Sequence, residues 1–336
     1  MEKYFKIATL KDIASEAGIS VTAVSKVLNH KGGISRETVE RVMVIAEHLG
    51  YRANFIAKSL KINSTKTLGL VISDSSQSFF GTIIKGAEEE AARNGYNIIL
   101  ANTNRKRETE KKAINILLQK RIDGLLLAAS MLTRDEDIGY LDSMGIPYVF
   151  LIRRSERIEV SFVGNDNVLG ASCMVDYLIK TGSRKIHFLN MAKNSTSSQE
   201  RLSGYINSLE SNGIAYDPSL VYYISPKIEE GYRVMRNILE NGGHAEALFC
   251  GCDNLSIGAI EAILEKGLDV PRDVRVCGYD DIEFAAYLRR PLTTMRQPKE
   301  IIGTKGVELL LNQINRVNDQ PKIILLKSEL VVRQST

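Results

Sequence analysis

Tryptophan is absent from this 336-residue chain, and cysteine and histidine occur only four times each. Cys173, Cys250, Cys252 and Cys277 are too scattered for a disulfide framework, and three of them stand in apolar runs, so reduced thiols packed in a core are expected. No stretch reaches the roughly 18 uninterrupted apolar residues that a membrane-crossing helix needs. The opening segment MEKYFKIATLKDIASEAG has neither an apolar signal core nor a small-residue cleavage site, which predicts a cytoplasmic protein with no membrane partner. Phosphate-loop, GxGxxG, HExxH and GxSxG patterns are all missing, so a nucleotide hydrolase, a nicotinamide enzyme, a zinc protease and a serine hydrolase lose support. The Cys250-Gly251-Cys252 pair has no histidine nearby and falls short of a four-ligand zinc site. The expectation is a protein that is not an enzyme, with no catalytic residue, no metal and no cofactor.

The composition that remains, 44% hydrophobic and 25% charged, is that of a globular chain long enough for two or three compact units. Its charge is unevenly placed. Residues 1–61 hold ten Lys and Arg against six Asp and Glu, whereas the rest holds thirty-four of each, so the whole net charge of +4 lies in the first fifth. Such an excess suits a polyanionic partner, and it also suits a small basic domain that is merely solvated.

Local signals in that fifth favour the partner. Thr9 precedes Asp12 by three residues and an apolar run follows, which predicts a capped helix from Leu10 to Ala17 that Gly18 ends. Ser20 is placed to cap a second helix, Val21 to Leu28, after a turn of about three residues, the helix-turn-helix spacing. Ala14 is small where two such helices cross, Gly18 accepts the left-handed turn, and Val24 fills the space between them. The outward face of the second helix then shows Val21, Thr22, Ser25 and Lys26: apolar contact for a thymine methyl, hydroxyls, and a cation for guanine or phosphate. Thr9 and Ser20 at helix starts, Asn29 at the end of the second helix and His30 in the loop beyond it complete the expected contacts to double-stranded DNA. A third helix is expected from Ser35, with Val39, Val42, Ala46 and Leu49 on one face, ending at Gly50. Its Arg36 and Arg41 either touch phosphates or are simply solvated.

From Lys66 the pattern becomes alternating strand and helix. TLGLVIS, NIILA, GLLLAA and PYVFLI read as strands, with helices over 80–95 and 108–119, and PYVFLI is expected to close the first half. KIHFLN, VYYI, ALFC and VRVCGY read as strands of the second half, with helices over 170–181, 199–212, 228–241 and 255–266. Two doubly wound parallel lobes with a cleft between them follow. Open α/β sheets bind ligands outside the carboxyl ends of their strands, which singles out Ser73, Asp74, Phe79 and Phe80 in the first lobe and Asn165, Asp166, Asn167, Arg201, Asp253 and Asp280 near the second. Carboxylates and a guanidinium orient adjacent hydroxyls of a sugar, and an aromatic ring covers its apolar face. Plainer readings stand beside these: Asp253 caps a helix, Asp281 caps another, and Phe79 is core.

The segments GISVTAVSKVLN, ISRETVERV and GYRANFIAKSLK, with SDSSQSFF, VGNDNVLGA, ERLSGY, GCDNLSIGA, GYDDIEFA and RRPLTTMRQP further on, resemble the lactose-repressor (LacI/GalR) family nearly end to end. The resemblance implies a helix-turn-helix domain over 1–52, a hinge helix or linker over 53–65, and a two-lobed effector-binding and dimerisation domain over 66–336 similar to periplasmic sugar-binding proteins. It implies a homodimeric repressor that reads a pseudo-palindromic operator and answers to a sugar-like effector. Asn54, Ala57 and Leu60 then belong to the hinge, with Leu60 as the minor-groove wedge. Arg201 and Asp280 become the leading effector contacts, followed by Phe80, Asn167 and Asp253, with Asp74 and Phe79 beside them. The chain departs from the family pattern at Ala53, where proline is usual, at Ala23 and Lys26 in the recognition helix, and at Cys252, where a polar residue is common. Rival readings are a cytoplasmic sugar-binding protein, a regulator answering to a phosphoprotein corepressor, and an α/β enzyme with a helix-turn-helix appendage.

Overall fold

The computed structural model describes residues 8–29, 31–51, 64–128, 130–153, 160–193, 195–243, 245–317 and 320–336. Its contacts divide the chain into two units, Met1–Thr65 and Lys66–Thr336.

In the first unit, Thr9 opens α1 (Leu10–Ala17): its hydroxyl accepts from the Asp12 amide at 3.4 Å while the Asp12 carboxylate accepts from the Thr9 amide at 2.8 Å. Two otherwise orphaned amides are thus satisfied reciprocally. Gly18 ends the helix at φ 64, a conformation that is cheap for a residue without a Cβ. The Ser20 hydroxyl accepts from the Ala23 amide at 3.2 Å and opens α2 (Val21–Leu28), and Ser35 caps α3 (Arg36–His48) in the same way. Ile13, Ala14, Ala17, Val24, Val27, Val42 and Ala46 form the core. Three of these seven are alanines, so the helices approach closely but bury little apolar area per residue.

The second unit holds twelve described strands. They are β1 (Thr67–Ile72), β2 (Asn97–Asn102), β3 (Gly124–Ala128), β4 (Tyr148–Leu151), β5 (Phe162–Asn165), β6 (Ile186–Asn190), β7 (Val221–Tyr223), β8 (Ala247–Cys250), β9 (Arg275–Asp280), β10 (Thr293–Arg296), β11 (Ile323–Leu326) and β12 (Glu329–Val331). Helices α4 (Ser78–Arg93), α5 (Arg107–Gln119), α6 (Asp135–Asp142), α7 (Asn167–Lys180), α8 (Thr196–Ser211), α9 (Ile228–Glu240), α10 (Asp253–Glu265) and α11 (Lys299–Ile314) connect them. One six-stranded sheet runs in the order β11-β5-β4-β3-β1-β2 and is parallel throughout; the other runs β12-β10-β9-β8-β6-β7, with β12 alone antiparallel. Buried apolar side chains cover both faces of each sheet, which is why the central strands read as unbroken hydrophobic runs.

The structure corrects one expectation. The first lobe does not close at PYVFLI, because β5 and the much later β11 extend its sheet beyond β4. The chain passes between the lobes three times: after Asn165, after Arg296 and after Leu326. Helix α11 follows the second passage, which returns the chain to the first lobe, and packs there against α4. A Cβ on Gly86 would overlap the Glu300 carbonyl and one on Gly303 would overlap that of Ile83, so two glycines let these helices touch backbone to backbone.

Candidate functional site

In the first unit, α2 buries Val24 and Val27 and turns its other face outward. Val21 is 40% exposed, Thr22 and Lys26 are exposed, and Ser25 is half-buried, so the side chains expected to read DNA share the open face. Thr9 and Ser20 lie exposed at helix starts with their hydroxyls engaged in caps. Asn29 caps the end of α2 and donates to the Ser25 carbonyl at 2.8 Å. Arg36 pairs with Glu40 at 3.0 Å, and Arg41 is exposed. His30, Asn54, Ala57 and Leu60 lie outside the described residues.

In the second unit, a cavity of about 750 Å³ opens where β1 to β4 of one sheet and β6 to β10 of the other present their carboxyl ends. Asp74, Phe79, Phe80, Arg201 and Asp280 line it. Phe79 and Phe80, in the first turn of α4, pack edge to face with centroids 5.3 Å apart. Both are buried, so Phe79 serves the core and the cavity wall at once. Asp74 accepts from the Ser76 hydroxyl at 2.6 Å and amide at 3.1 Å and faces Arg105 at 3.8 Å. Burial opposes ionisation of Asp74, but the Ser76 bonds and Arg105 outweigh it and hold the carboxyl below its ordinary range.

Arg201 is buried, donates from Nε to Asn167 Oδ1 at 3.0 Å and from Nη1 to the Gly251 carbonyl, and stacks on Tyr279. Asp280 accepts from Gln297 on its side chain and from the Lys299 ammonium on its carbonyl, and it sits at φ 127. That backbone is strained for a residue with a side chain. Burial raises the carboxyl pKa of Asp280, and that of Asp253 behind it, above the ordinary aspartate range.

Two expected contacts are not brought to the cavity wall. Asn167 is buried behind Arg201, where it accepts from Nε and donates to Glu200 at 2.9 Å. Asp253 is fully buried and accepts from the Ile282 amide at 2.8 Å and the Thr294 hydroxyl at 2.6 Å, tying α10 to the segments around β9 and β10. Its position is the first residue of that helix, and Cys252 is the cap residue. The plain reading of Asp281 also gives way: it pairs with Arg296 at 2.6 Å and Arg333 at 2.7 Å.

Sequence reasoning passed over Arg105, Arg153 and Gln297, all of which line the cavity. Arg153 lies two residues past β4 and Gln297 one past β10, so the strand-end rule, applied to PYVFLI and to TTMR, would have found both. At the other extreme of the first sheet, β2 is an edge strand with Ile99 and Leu100 at 38% and 43% exposure, an apolar border.

Residues 65–334 match the family model described as periplasmic binding proteins and sugar binding domain of LacI family, and residues 9–54 match that of bacterial regulatory proteins, lacI family. Among curated proteins, the chain is 32% identical over 329 residues to the HTH-type transcriptional repressor PurR of Pasteurella multocida (98% of each chain covered). It is 33% identical over 331 residues to the HTH-type transcriptional regulator RegA of Clostridium saccharobutylicum, covering 98% of this chain and 99% of that one. Among solved structures, the lac repressor dimer bound to operator and the anti-inducer ONPF superposes with a TM-score of 0.90 at 27% identity, over 98% of this chain and 99% of that chain.

Proposed function

The chain belongs to the LacI family of bacterial regulatory proteins, and from that premise we propose that it is a cytoplasmic repressor whose grip on operator DNA is set by a sugar-like effector held in the cavity between its lobes. It binds a pseudo-palindromic operator as a homodimer, one α2 helix per half-site. Residues 1–52 read the major groove and 53–65 form the hinge, with Leu60 as the wedge and Asn54 and Ala57 beside it. The apolar edge at β2 takes the second copy. We read the cavity as a binding site and not as an active site, in keeping with relatives that are transcription regulators.

The single observation that supports this reading best is that one cavity is lined from both sheets, with Asp74, Phe79 and Phe80 on one side and Arg201 and Asp280 on the other. A solute that bonds to both walls is bound more tightly when the lobes are close, so it shifts the population of lobe arrangements by its differential affinity. The test is fluorescence anisotropy of the full chain on duplex DNA across a salt series. Phosphate contacts make log K fall with log salt, and a screened effector changes the operator curve. Affinity that is negligible, or indifferent to salt, refutes the repressor reading.

A further inference from the structure

The cavity is more basic than a neutral sugar requires. Arg105, Arg153, Lys193, Arg201 and Lys227 line it against two carboxylates, Asp74 and Asp280. Arg201 is already committed to Asn167, Gly251 and Tyr279. Arg153 is not. Its Nη1 donates to the Ser130 carbonyl at 3.0 Å and lies 3.1 Å from Met131 Sδ, while its Nε is buried with no hydrogen-bond partner. The carboxylate behind it, Glu110, is spent on the Ser130 hydroxyl and on the Met131 amide at 2.9 Å. Among the described residues no carboxylate forms an ion pair with Arg153.

Arg105 approaches from the loop after β2, where Asn104 and Arg105 take φ values of 50 and 58 in succession. Two consecutive left-handed residues with side chains are costly, and such strain persists where it positions something. Its carboxylate partner, Asp74, stands off at 3.8 Å and is shared with Ser76. Burial first, and the charge of Arg105 next, weaken the hold of Arg153 on its proton, and the charge of Glu110 offsets this only in part. A buried N–H without an acceptor is uncommon in a folded protein and marks a place where an acceptor is missing.

We propose that the effector carries an oxyanion, a carboxylate or a phosphate ester, seated between Arg105 and Arg153 on the first lobe, while its hydroxyls meet Arg201 and Asp280 on the second. This rests on the reading of the cavity as the effector site. Guanidinium groups fork onto carboxylate and phosphate oxygens with two parallel bonds, so the anion is both neutralised and oriented. Anchored by charge to one lobe and by hydroxyls to the other, it joins the walls more firmly than a neutral sugar would.

The experiment measures thermal shifts and calorimetric affinity at fixed ionic strength for the full chain. Its probes are glucose, ribose, gluconate, glucuronate, glucose 6-phosphate, ribose 5-phosphate and inorganic phosphate, against wild type, Arg105→Gln, Arg153→Gln, Arg153→Lys and Arg201→Ala. At least one charged sugar should stabilise the protein where its uncharged parent does not, and lose about tenfold or more in affinity in either Gln variant. Arg153→Lys should recover part of that loss, and inorganic phosphate should compete. Gluconate and glucuronate against the two sugar phosphates decide which oxyanion is taken. The proposal is overturned if glucose or ribose binds as tightly as its charged counterpart, if the charged sugar ignores both Gln variants, or if no anion stabilises the protein. Binding of a neutral sugar that is lost in Arg201→Ala would sink the anion and leave the cavity reading standing, whereas binding that survives Arg201→Ala would sink both.

Discussion

The guanidinium carbon of Arg201 lies 3.8 Å from the centroid of the Tyr279 ring, so a side chain of α8 is held over the ring of a residue of β9. Both are buried, and a desolvated cation over an aromatic face is stabilised by about 2 kcal/mol or more. This contact and the bonds from Nε to Asn167 and from Nη1 to the Gly251 carbonyl hold the guanidinium from three sides. Arg201 is therefore preorganised before any ligand arrives.

Replacing Arg201 with Ala should abolish the effector response and leave affinity of the ligand-free protein for operator DNA unchanged. It also strips Asn167 Oδ1 and the Gly251 carbonyl of their donor, a loss of about 1–3 kcal/mol in stability. Operator titrations with and without effector, beside a urea melt, check both parts. An effector response equal to wild type would remove Arg201 from the site.

Lys26 is exposed on the open face of α2 and carries one of the charges available to DNA. Lys26→Ala should weaken all duplex sequences alike if it meets a phosphate, reducing the slope of log K against log salt by about 1. Thr22→Ala should instead narrow the gap between operator and random DNA by about 1–3 kcal/mol, as expected of a base contact. Parallel salt series on the two DNAs separate these outcomes.

Leu100, 43% exposed on the edge strand β2, is assigned to the surface between copies. Leu100→Lys places a charge on that border and should shift sedimentation from dimer toward monomer. Operator affinity should then depend steeply on protein concentration. A stable dimer in the variant places the subunit contact elsewhere.

Glu110 supplies a pH dependence. Burial, the strongest influence, raises its carboxyl pKa above the ordinary glutamate value despite the bonds from Ser130 and Met131. A carboxyl that holds its proton more tightly when folded favours the folded state at low pH. That contribution is complete below the unfolded value of about 4.3 and is lost as pH rises through the higher folded value. Glu110→Gln removes the titration, so between about pH 4.5 and 7 wild type should lose stability relative to the variant. Urea midpoints of both proteins at the two pH values measure this, and parallel behaviour would count against a raised pKa.

Much of this was legible in the sequence because the signals were local. Thr9, Asp12, Gly18 and Ser20 mark the ends of α1 and α2 by the chemistry of their side chains and backbone, and their contacts span only a few residues. The strands β1 and β3 read clearly since both faces are buried. By contrast, β5 is four residues, Phe162 to Asn165, with a glycine and an asparagine, and β10 is Thr293 to Arg296; neither carries a hydrophobic run. Helix α11 escaped because Gly303 and Gly306 look like helix breakers, and what makes them suitable are partners far away in sequence, Ile83 for the first and Leu126 and Leu151 for the second. In the cavity, Asp280 was visible from motif and strand end together, and Arg201, inside α8, from its motif. Asn167 and Asp253 share those motifs but are turned inward by hydrogen bonds that no spacing reveals.

The sheet orders bear on synthesis. Each six-stranded sheet receives a strand from the last fourteen residues, β11 in one and β12 in the other. A ribosome must therefore pass Ile323 before the first sheet is whole and Glu329 before the second is. The lobes mature together rather than in succession, and a nascent chain halted before Ile323 leaves both unfinished, each with an open edge exposed to aggregation.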